Sequence, residues 1–295
     1  SAADSNSSSG VRPRARKPMS AVCSRISNMA GTIYLVGTPI GNLEDITLRA
    51  LRILKEVDLI ACEDTRRTAK LLGHYAIHKP LVSYHEHNEP RQARALVEQA
   101  AAGASIAIVS DAGMPAISDP GYGVVREAIA RGVPVVPVPG AVAAEAALAA
   151  SGLPVQGFRF AGFLPPKRQR RRKVLEELSR EPVTVIFFEA PHRIVAAMED
   201  VVEVLGARAV VVARELTKVH EEFIRGTAPE VLAELRGRPE VKGEITLLIA
   251  PGNAAPVAGN LRARVEGLMR ENKLSRMEAL KQAAREQGIS KREAY

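Results

Sequence analysis

Residues Ser105 to Gly121 read SIAIVSDAGMPAISDPG. An apolar run, Ile106 to Val109, stops abruptly at Ser110-Asp111-Ala112-Gly113. A second acidic turn follows at Ser118-Asp119-Pro120-Gly121, and a helix-like stretch from Val124 to Ala130 comes next. A buried strand that ends in a small, acidic, glycine-containing loop brings backbone and a carboxylate to a ligand, and in open α/β sheets the ligand crevice lies beyond the carboxyl ends of the strands. A plain surface turn would use similar residues. Two acidic turns in such close succession favour the ligand loop.

At 295 residues and 46% hydrophobic content, the chain can bury a sizeable core and is expected to hold two domains. No apolar run approaches the ~18 residues needed to span a bilayer. Two cysteines, Cys23 and Cys62, cannot build a disulfide framework, so a reducing, cytoplasmic setting is expected. Trp is absent and aromatics are few. Stacking on nucleobases would fall to Tyr84, Phe163 and a handful of others.

The net charge of +8 is unevenly placed. Residues 1–30 carry five Lys/Arg against one acid, and residues 253–295 carry nine against five, so the body between them sums to zero. Inside that body stands Lys167 to Lys173, KRQRRRK, with six cations in seven residues. Such placement suits a polyanionic partner, whose phosphates give sequence-independent affinity and steering. A merely solvated helix start has the same signature.

Residues 1–30 are Ser/Arg-rich and aperiodic, and a disordered tail is expected there. The tail resembles a transit peptide in composition, while Met29 before the first strand is an equally good natural start. From Thr32 strands and helices alternate. Apolar runs at Ile33–Val36, Asp58–Ala61, Ile106–Val109 and Val133–Val138 predict strands; Leu48–Lys55, Arg91–Ala102, Val124–Ala130 and Ala141–Ala150 predict helices. Ser151-Gly152-Leu153-Pro154 breaks the pattern. Beyond it come strands at Phe158–Phe163, Val183–Phe188, Arg208–Ala213 and Ile245–Ala250, with helices at Arg168–Leu178, Arg193–Leu205 and Pro229–Leu235. A Pro/Gly/Ala-rich linker leads to two basic helices, Leu261–Glu271 and Ser275–Gln287, the second opened by a capping box of Ser275 and Glu278. The expected class is α/β. A mainly parallel N-terminal sheet with helices on both faces (31–150) precedes a second, mixed α/β domain (151–252) and a small helical extension (253–295).

Gly37-Thr38-Pro39-Ile40-Gly41-Asn42 follows the first strand but is not GxGxxG, and Pro39 removes a backbone donor. The acid at the dinucleotide spacing, Asp58, falls within a predicted strand, which argues against a nicotinamide site. No phosphate-loop motif GxxxxGK[ST] occurs. Glu63-Asp64-Thr65-Arg66-Arg67 puts acids and cations at the second strand's tip, and Ser83 to Glu89 gathers titratable groups at another junction. A metal held by His85 and His87 is weakly supported, so none is expected.

Gly37–Glu44, Glu63–Arg66, Ser110–Gly121, Pro139–Ala144, Glu189–Arg193, Arg214–Lys218 and Lys242–Glu244 together resemble the ribosomal RNA small-subunit methyltransferase I family, a branch of the tetrapyrrole (corrin/porphyrin) methylase superfamily. The match runs in order from about Thr32 to Ala250. The resemblance implies S-adenosylmethionine as methyl donor, bound between two domains, and the ribose 2′-hydroxyl of a cytidine in the decoding region of small-subunit rRNA as acceptor. It also implies a homodimer. Donor contacts would fall on Pro39, Asp111, Gly113, Pro115, Ala116, Ser118, Pro139, Gly140 and Ala141. In the second domain they would fall on Phe188, Glu189, Ala190, Ala213, Arg214, Glu215, Gly243 and Glu244. Where tetrapyrrole-type members read Gly-Asp-Pro, this chain reads Ser110-Asp111-Ala112, as the RNA branch does.

A ribose hydroxyl is a weak nucleophile, so a base or a cation beside it helps. Asp64, Glu89 and His87 are the candidate bases, and Arg66 and Lys218 the candidates for holding phosphate or alkoxide. Lys167, Arg168, Arg170, Arg171, Arg172 and Lys173, with the basic C-terminal helices, are the candidate RNA surface. Two competing readings stay open: a methylase of small tetrapyrrole substrates, and a regulator whose C-terminal helix pair binds DNA.

Overall fold

A computed structural model describes residues 31–85, 88–252, 261–272 and 274–286. The expected tail at 1–30, the linker, and His87 lie outside the described residues. The first sheet holds β1 (Ile33–Val36), β2 (Leu59–Cys62), β3 (Leu81–Ser83), β4 (Ile106–Val109) and β5 (Val135–Val138), all parallel, in the order β3-β2-β4-β1-β5. Its helices are α1 (Leu48–Glu56), α2 (Thr65–His74), α3 (Glu89–Ala101), α4 (Tyr122–Ala130) and α5 (Ala143–Ser151). From β1 the chain steps outward to β2 and β3, then back to β4 and across to β5. Right-handed crossovers in opposite senses place their helices on opposite faces. Accordingly Tyr34 and Val36 pack with Ile53, Leu54 and Leu72 of α1 and α2. Ile33, on the opposite face of the pleat, packs with Leu96 and Val124 of α3 and α4. Pro137 is tolerated because β5 is an edge strand.

The second sheet holds β6 (Phe158–Phe163), β7 (Thr184–Glu189), β8 (Ala209–Arg214), β9 (Glu222–Thr227) and β10 (Ile245–Ile249), ordered β6-β7-β10-β8-β9. Only β6 and β7 pair in parallel; the other pairs are antiparallel. One face is covered by α6 (Arg168–Glu177), α7 (Ile194–Leu205) and α8 (Ala228–Arg236). Val210, Val212, Leu247 and Ile249 point to that side. Ala209, Val211, Ala213 and Leu248 point the other way, against Ala144, Ala147 and Leu148 of α5 and Ile40 of the first half. The inner strands β7, β10 and β8 are largely apolar because both faces are buried, although the sheet is mostly antiparallel. The two halves therefore meet through α5 and the β1 tip. Two further helices, α9 (Leu261–Asn272) and α10 (Arg276–Glu286), share a small core of Val265, Leu268, Ala279 and Ala283. The capping box forms as expected: Glu278 Oε2 accepts from Ser275 N at 3.0 Å.

Helix α2 and strand β9 escape the apolar-run reading. Of the ten residues of α2 only Thr68 and Leu72 are buried, so it carries too few apolar positions to show a helical period. β9 is an edge strand whose buried residues are Ile224 and Gly226.

Candidate active site

Three strand tips converge at the carboxyl edge of the first sheet. Beyond β1 and β4, Thr38 and Gly113 exchange backbone hydrogen bonds of 2.9 and 3.1 Å. The Thr38 hydroxyl lies 3.2 Å from the Ser110 carbonyl. On the other side Gly37 and Gly140 lie backbone against backbone. A Cβ on Gly37 would fall 2.7 Å from the Gly140 Cα, and one on Gly140 would fall 2.8 Å from the Gly37 carbonyl carbon. A Cβ on Gly113 would reach the Ala141 carbonyl at 3.5 Å. The sequence closes its strands with glycine here because any side chain would push the tips apart.

The loop after β4 is strained. Ala116 and Ser118 take φ of 70° and 61°, left-handed values that cost a non-glycine residue roughly 1 kcal/mol or more each. Glu89, at the start of α3, pins the far end of this loop. Its Oε1 accepts from Gly123 N at 2.8 Å, Gly121 N at 3.2 Å and the Tyr84 hydroxyl at 2.8 Å. It is an anion at the N-terminus of α4, where the helix dipole favours negative charge. Burial pushes its pKa up, but the bonds from Tyr84, Gly123 and Gly121 outweigh burial and hold it below the ordinary carboxylate value.

Glu63, Asp111 and Asp119 form an acidic cluster at the same edge. Asp111 Oδ1 accepts from Asp64 N at 3.1 Å, and its other oxygen lies 3.4 Å from Arg67. Burial, then the Asp111 charge, raises Glu63 above the usual carboxylate range. Burial, helped by the charges of Glu63 and Asp111 and opposed by a hydrogen bond with the Ser110 side chain, raises Asp119 to about 6. Both Asp119 and Glu63 belong to motifs visible in the sequence. Nothing in the motifs themselves tells which acid of each would be buried beside other acids, and that is what sets these two apart.

Four of the expected catalytic residues, Asp64, Arg66, Glu89 and Lys218, have partners within the chain. Asp64 is the N-cap of α2: it accepts from Arg66 N at 2.8 Å and is gripped by the Arg66 guanidinium at 3.1 and 2.8 Å. The Arg66 side chain, with the Arg66 backbone N–H, holds it well below the carboxylate range, so it is a poor proton acceptor and Arg66 is already engaged. Glu89 is likewise occupied, as the anchor of α4. Lys218 bonds Glu215 at 2.7 Å and Glu244 at 3.1 Å, so its charge is shared between two acids of its own loops.

The expected donor residues divide by half. Pro39, Asp111, Gly113, Pro115, Ala116, Ser118, Pro139, Gly140 and Ala141 all lie on the converging tips or the strained loop. In the second half the acids are satisfied internally. Glu189 is buried and accepts from Ala190 N at 2.8 Å, with Arg193 beside it at 3.3 Å. Arg214 bonds Glu222, and Gly243 presses on Glu215, where a Cβ would fall within contact of its side chain. Ala213 is wholly buried between the halves. Phe188, stacked edge-on to Phe160 at 4.9 Å, remains partly open.

The basic run also divides by its ion pairs. Arg171 is buried with Asp200, at 2.6 Å. Arg168 bonds Asp200 at 2.9 Å and Glu203 at 2.7 Å, and Arg172 bonds Glu203. These three fasten α6 to α7. Lys167, Arg170 and Lys173 are exposed, with no ion pair among the described residues.

An apolar-walled edge with bare backbone and a concentration of carboxylates suits a flat, hydrogen-bonding ligand that carries positive charge. Comparison with known proteins gives the chain a family. Residues 32–232 match the family of Tetrapyrrole (Corrin/Porphyrin) Methylases. A protein named Ribosomal RNA small subunit methyltransferase I from Halalkalibacterium halodurans is 48% identical over 90% of this chain and 93% of its own length. A protein of the same name from Bacillus subtilis is 45% identical over the same shares. In fold, the chain is similar to uroporphyrin-III C-methyl transferase from Thermus thermophilus, a structure complexed with S-adenyl homocysteine. There the TM-score is 0.51 and the identity 24%, over 75% of this chain and 97% of that one.

Proposed function

The chain belongs to the tetrapyrrole (corrin/porphyrin) methylase family, with the ribosomal RNA small subunit methyltransferase I proteins as its near relatives, and from that premise we propose that it is an S-adenosylmethionine-dependent methyltransferase of small-subunit rRNA. The acceptor is read as the ribose 2′-hydroxyl of a cytidine in the decoding region. The observation that carries the donor assignment is the meeting of the β1, β4 and β5 tips around Gly37, Gly113 and Gly140.

When bound, the donor supplies an electrophilic methyl group on a positively charged sulfur. The chain's own part is to hold two reactants in line, where orientation supplies ~7–11 kcal/mol of barrier reduction. The Thr38–Gly113 bridge and the Gly37–Gly140 contact fix a bare backbone wall, which a purine and an amino-acid end can bond. The field of Glu63, Asp111 and Asp119 favours a cationic ligand. With Asp64 and Glu89 engaged elsewhere, Asp119 is the carboxylate proposed to take the ribose hydroxyl proton as oxygen bonds to the methyl carbon and the carbon–sulfur bond breaks. A base whose pKa lies near the working pH is the effective kind. By likeness to the superfamily the protein is further read as a homodimer, working in the cytoplasm.

Labelled donor incubated with the protein and either small-subunit rRNA or a porphyrin precursor tests this reading. Label is expected in RNA, at a ribose that becomes resistant to alkaline cleavage. Label in the tetrapyrrole alone would favour the small-molecule branch of the family.

A further inference from the structure

We propose that the turn joining β6 to α6 is a docking surface for unpaired RNA, on which Phe163 stacks a base while Lys167, Arg170 and Lys173 hold the flanking phosphates. The proposal rests on the rRNA reading above and names the form of RNA that this face takes. Its starting point is the division of the basic run. Three cations pair with Asp200 and Glu203, Arg171 from within and Arg168 and Arg172 at the surface, and the three that remain lie exposed, three residues apart along α6 and its N-cap. A solvated helix start needs no such sorting. The residues that fasten the helix and those whose charge is unpaired among the described residues are different ones.

The second observation is aromatic. Phe163 ends β6 with 56% of its surface exposed, in a chain with six phenylalanines and no tryptophan. Its ring is not loose, since it meets Phe188 edge-on with centroids 5.8 Å apart. Phe188 is the last residue but one of β7. The adjacent Gly162 lies against the strained β4 loop, where a Cβ would stand 3.7 Å from the Ser118 hydroxyl. The ring is thus at the lip of the candidate active site. Four residues of chain, at most about 14 Å, separate it from Lys167.

An isolated exposed phenylalanine is unremarkable. An exposed, positioned ring followed by three cations without acid partners is the combination that single-stranded nucleic acid binders use, because every base has a face to stack and every nucleotide a phosphate to neutralise. Duplex RNA offers no free base face and is recognised through its shape, ribose hydroxyls and phosphates. The charge pattern fits both forms, and the ring selects the unpaired one.

The test uses the full chain and a fluorescent single-stranded RNA of small-subunit rRNA sequence, with affinity measured across a salt series. Replacing Lys167, Arg170 and Lys173 together by Gln should lower the slope of log K against log salt by about 2, at ~0.7 per phosphate contact on single strands. Phe163→Ala should weaken binding about tenfold, and Phe163→Trp should restore it. Phe163→Ala should leave binding to a duplex of equal length unchanged. Thermal melts check that the variants fold. Wild-type slope in the triple variant together with wild-type affinity in Phe163→Ala would overturn the proposal and leave the methyltransferase reading intact. Failure of the wild-type protein to bind RNA at all would overturn both.

Discussion

The acids at the first sheet's carboxyl edge and those of the second half keep different company. Glu215 and Glu244 share Lys218, Asp200 holds Arg171 and Arg168, and Glu222 lies between Arg238 and Arg214, which hold it at about 2. These carboxylates are paired with cations and serve to tie loops and helices together. Glu63 and Asp119 form no such ion pair among the described residues; burial raises both, against the nearby Arg67 charge at Glu63, and Asp119 reaches about 6. One region uses charge for cohesion, the other keeps charge in reserve for a ligand. Natural proteins tolerate the second arrangement where function needs it, since it costs stability.

The largest effect belongs to the paired region. Arg171→Ala strips a buried carboxylate of its main partner, and a fall of about 3–5 kcal/mol is expected in urea unfolding. Its neighbour Arg170→Ala should stay within about 0.5 kcal/mol. Similar losses in both would break the distinction between inward and outward cations.

Asp119→Asn probes the other region. Loss of a general base should slow methyl transfer about a hundredfold or more and remove the rise in rate that accompanies ionisation near pH 6. Stability should move the opposite way. The folded-state pKa lies above the unfolded value of 3.8, so between about pH 4 and 6 the folded chain binds more protons and the wild type loses stability as pH rises. The variant escapes this penalty. A gain of about 1 kcal/mol at pH 7, after discounting for the residue's partial exposure, should vanish below pH 4. A variant that is slower but no more stable would mean that Asp119 is not held unpaired.

The smallest effect is expected at Lys218→Ala. The paired acids are partly solvated, so the loss should be under about 1 kcal/mol. Donor affinity should be little changed, because the lysine serves its loop. A large drop in methylation at saturating donor would restore it to the chemistry.

How far these roles could be read in advance depended on what kind of signal each residue carries. β1 and β4 were legible to the residue because apolar runs of four end at turn residues. The convergence of their tips followed from the rule for open α/β sheets. α2 was not legible, since its N-cap Asp64 reads equally well as a site acid. The second sheet's apolar strands looked like those of the first, although most of its pairs are antiparallel. Burial of both faces gives the same sequence signature for either pairing. Charge runs were the least legible. KRQRRRK carries no mark of which side chains turn toward Asp200, a residue some thirty positions away. Acids such as Glu89 and Asp119 differ only in the donors that tertiary structure brings to them.

The central claim is that the glycine-closed tips of β1, β4 and β5 form the donor's cradle, and calorimetric titration of S-adenosylmethionine into wild-type protein and Gly140→Ala tests it most directly. The wild type should bind saturably at one site per chain. The variant, whose Cβ would fall 2.8 Å from Gly37 backbone, should lose most of that affinity while its melt stays cooperative. Absence of binding by folded wild type, or equal binding by a folded variant, would contradict the account.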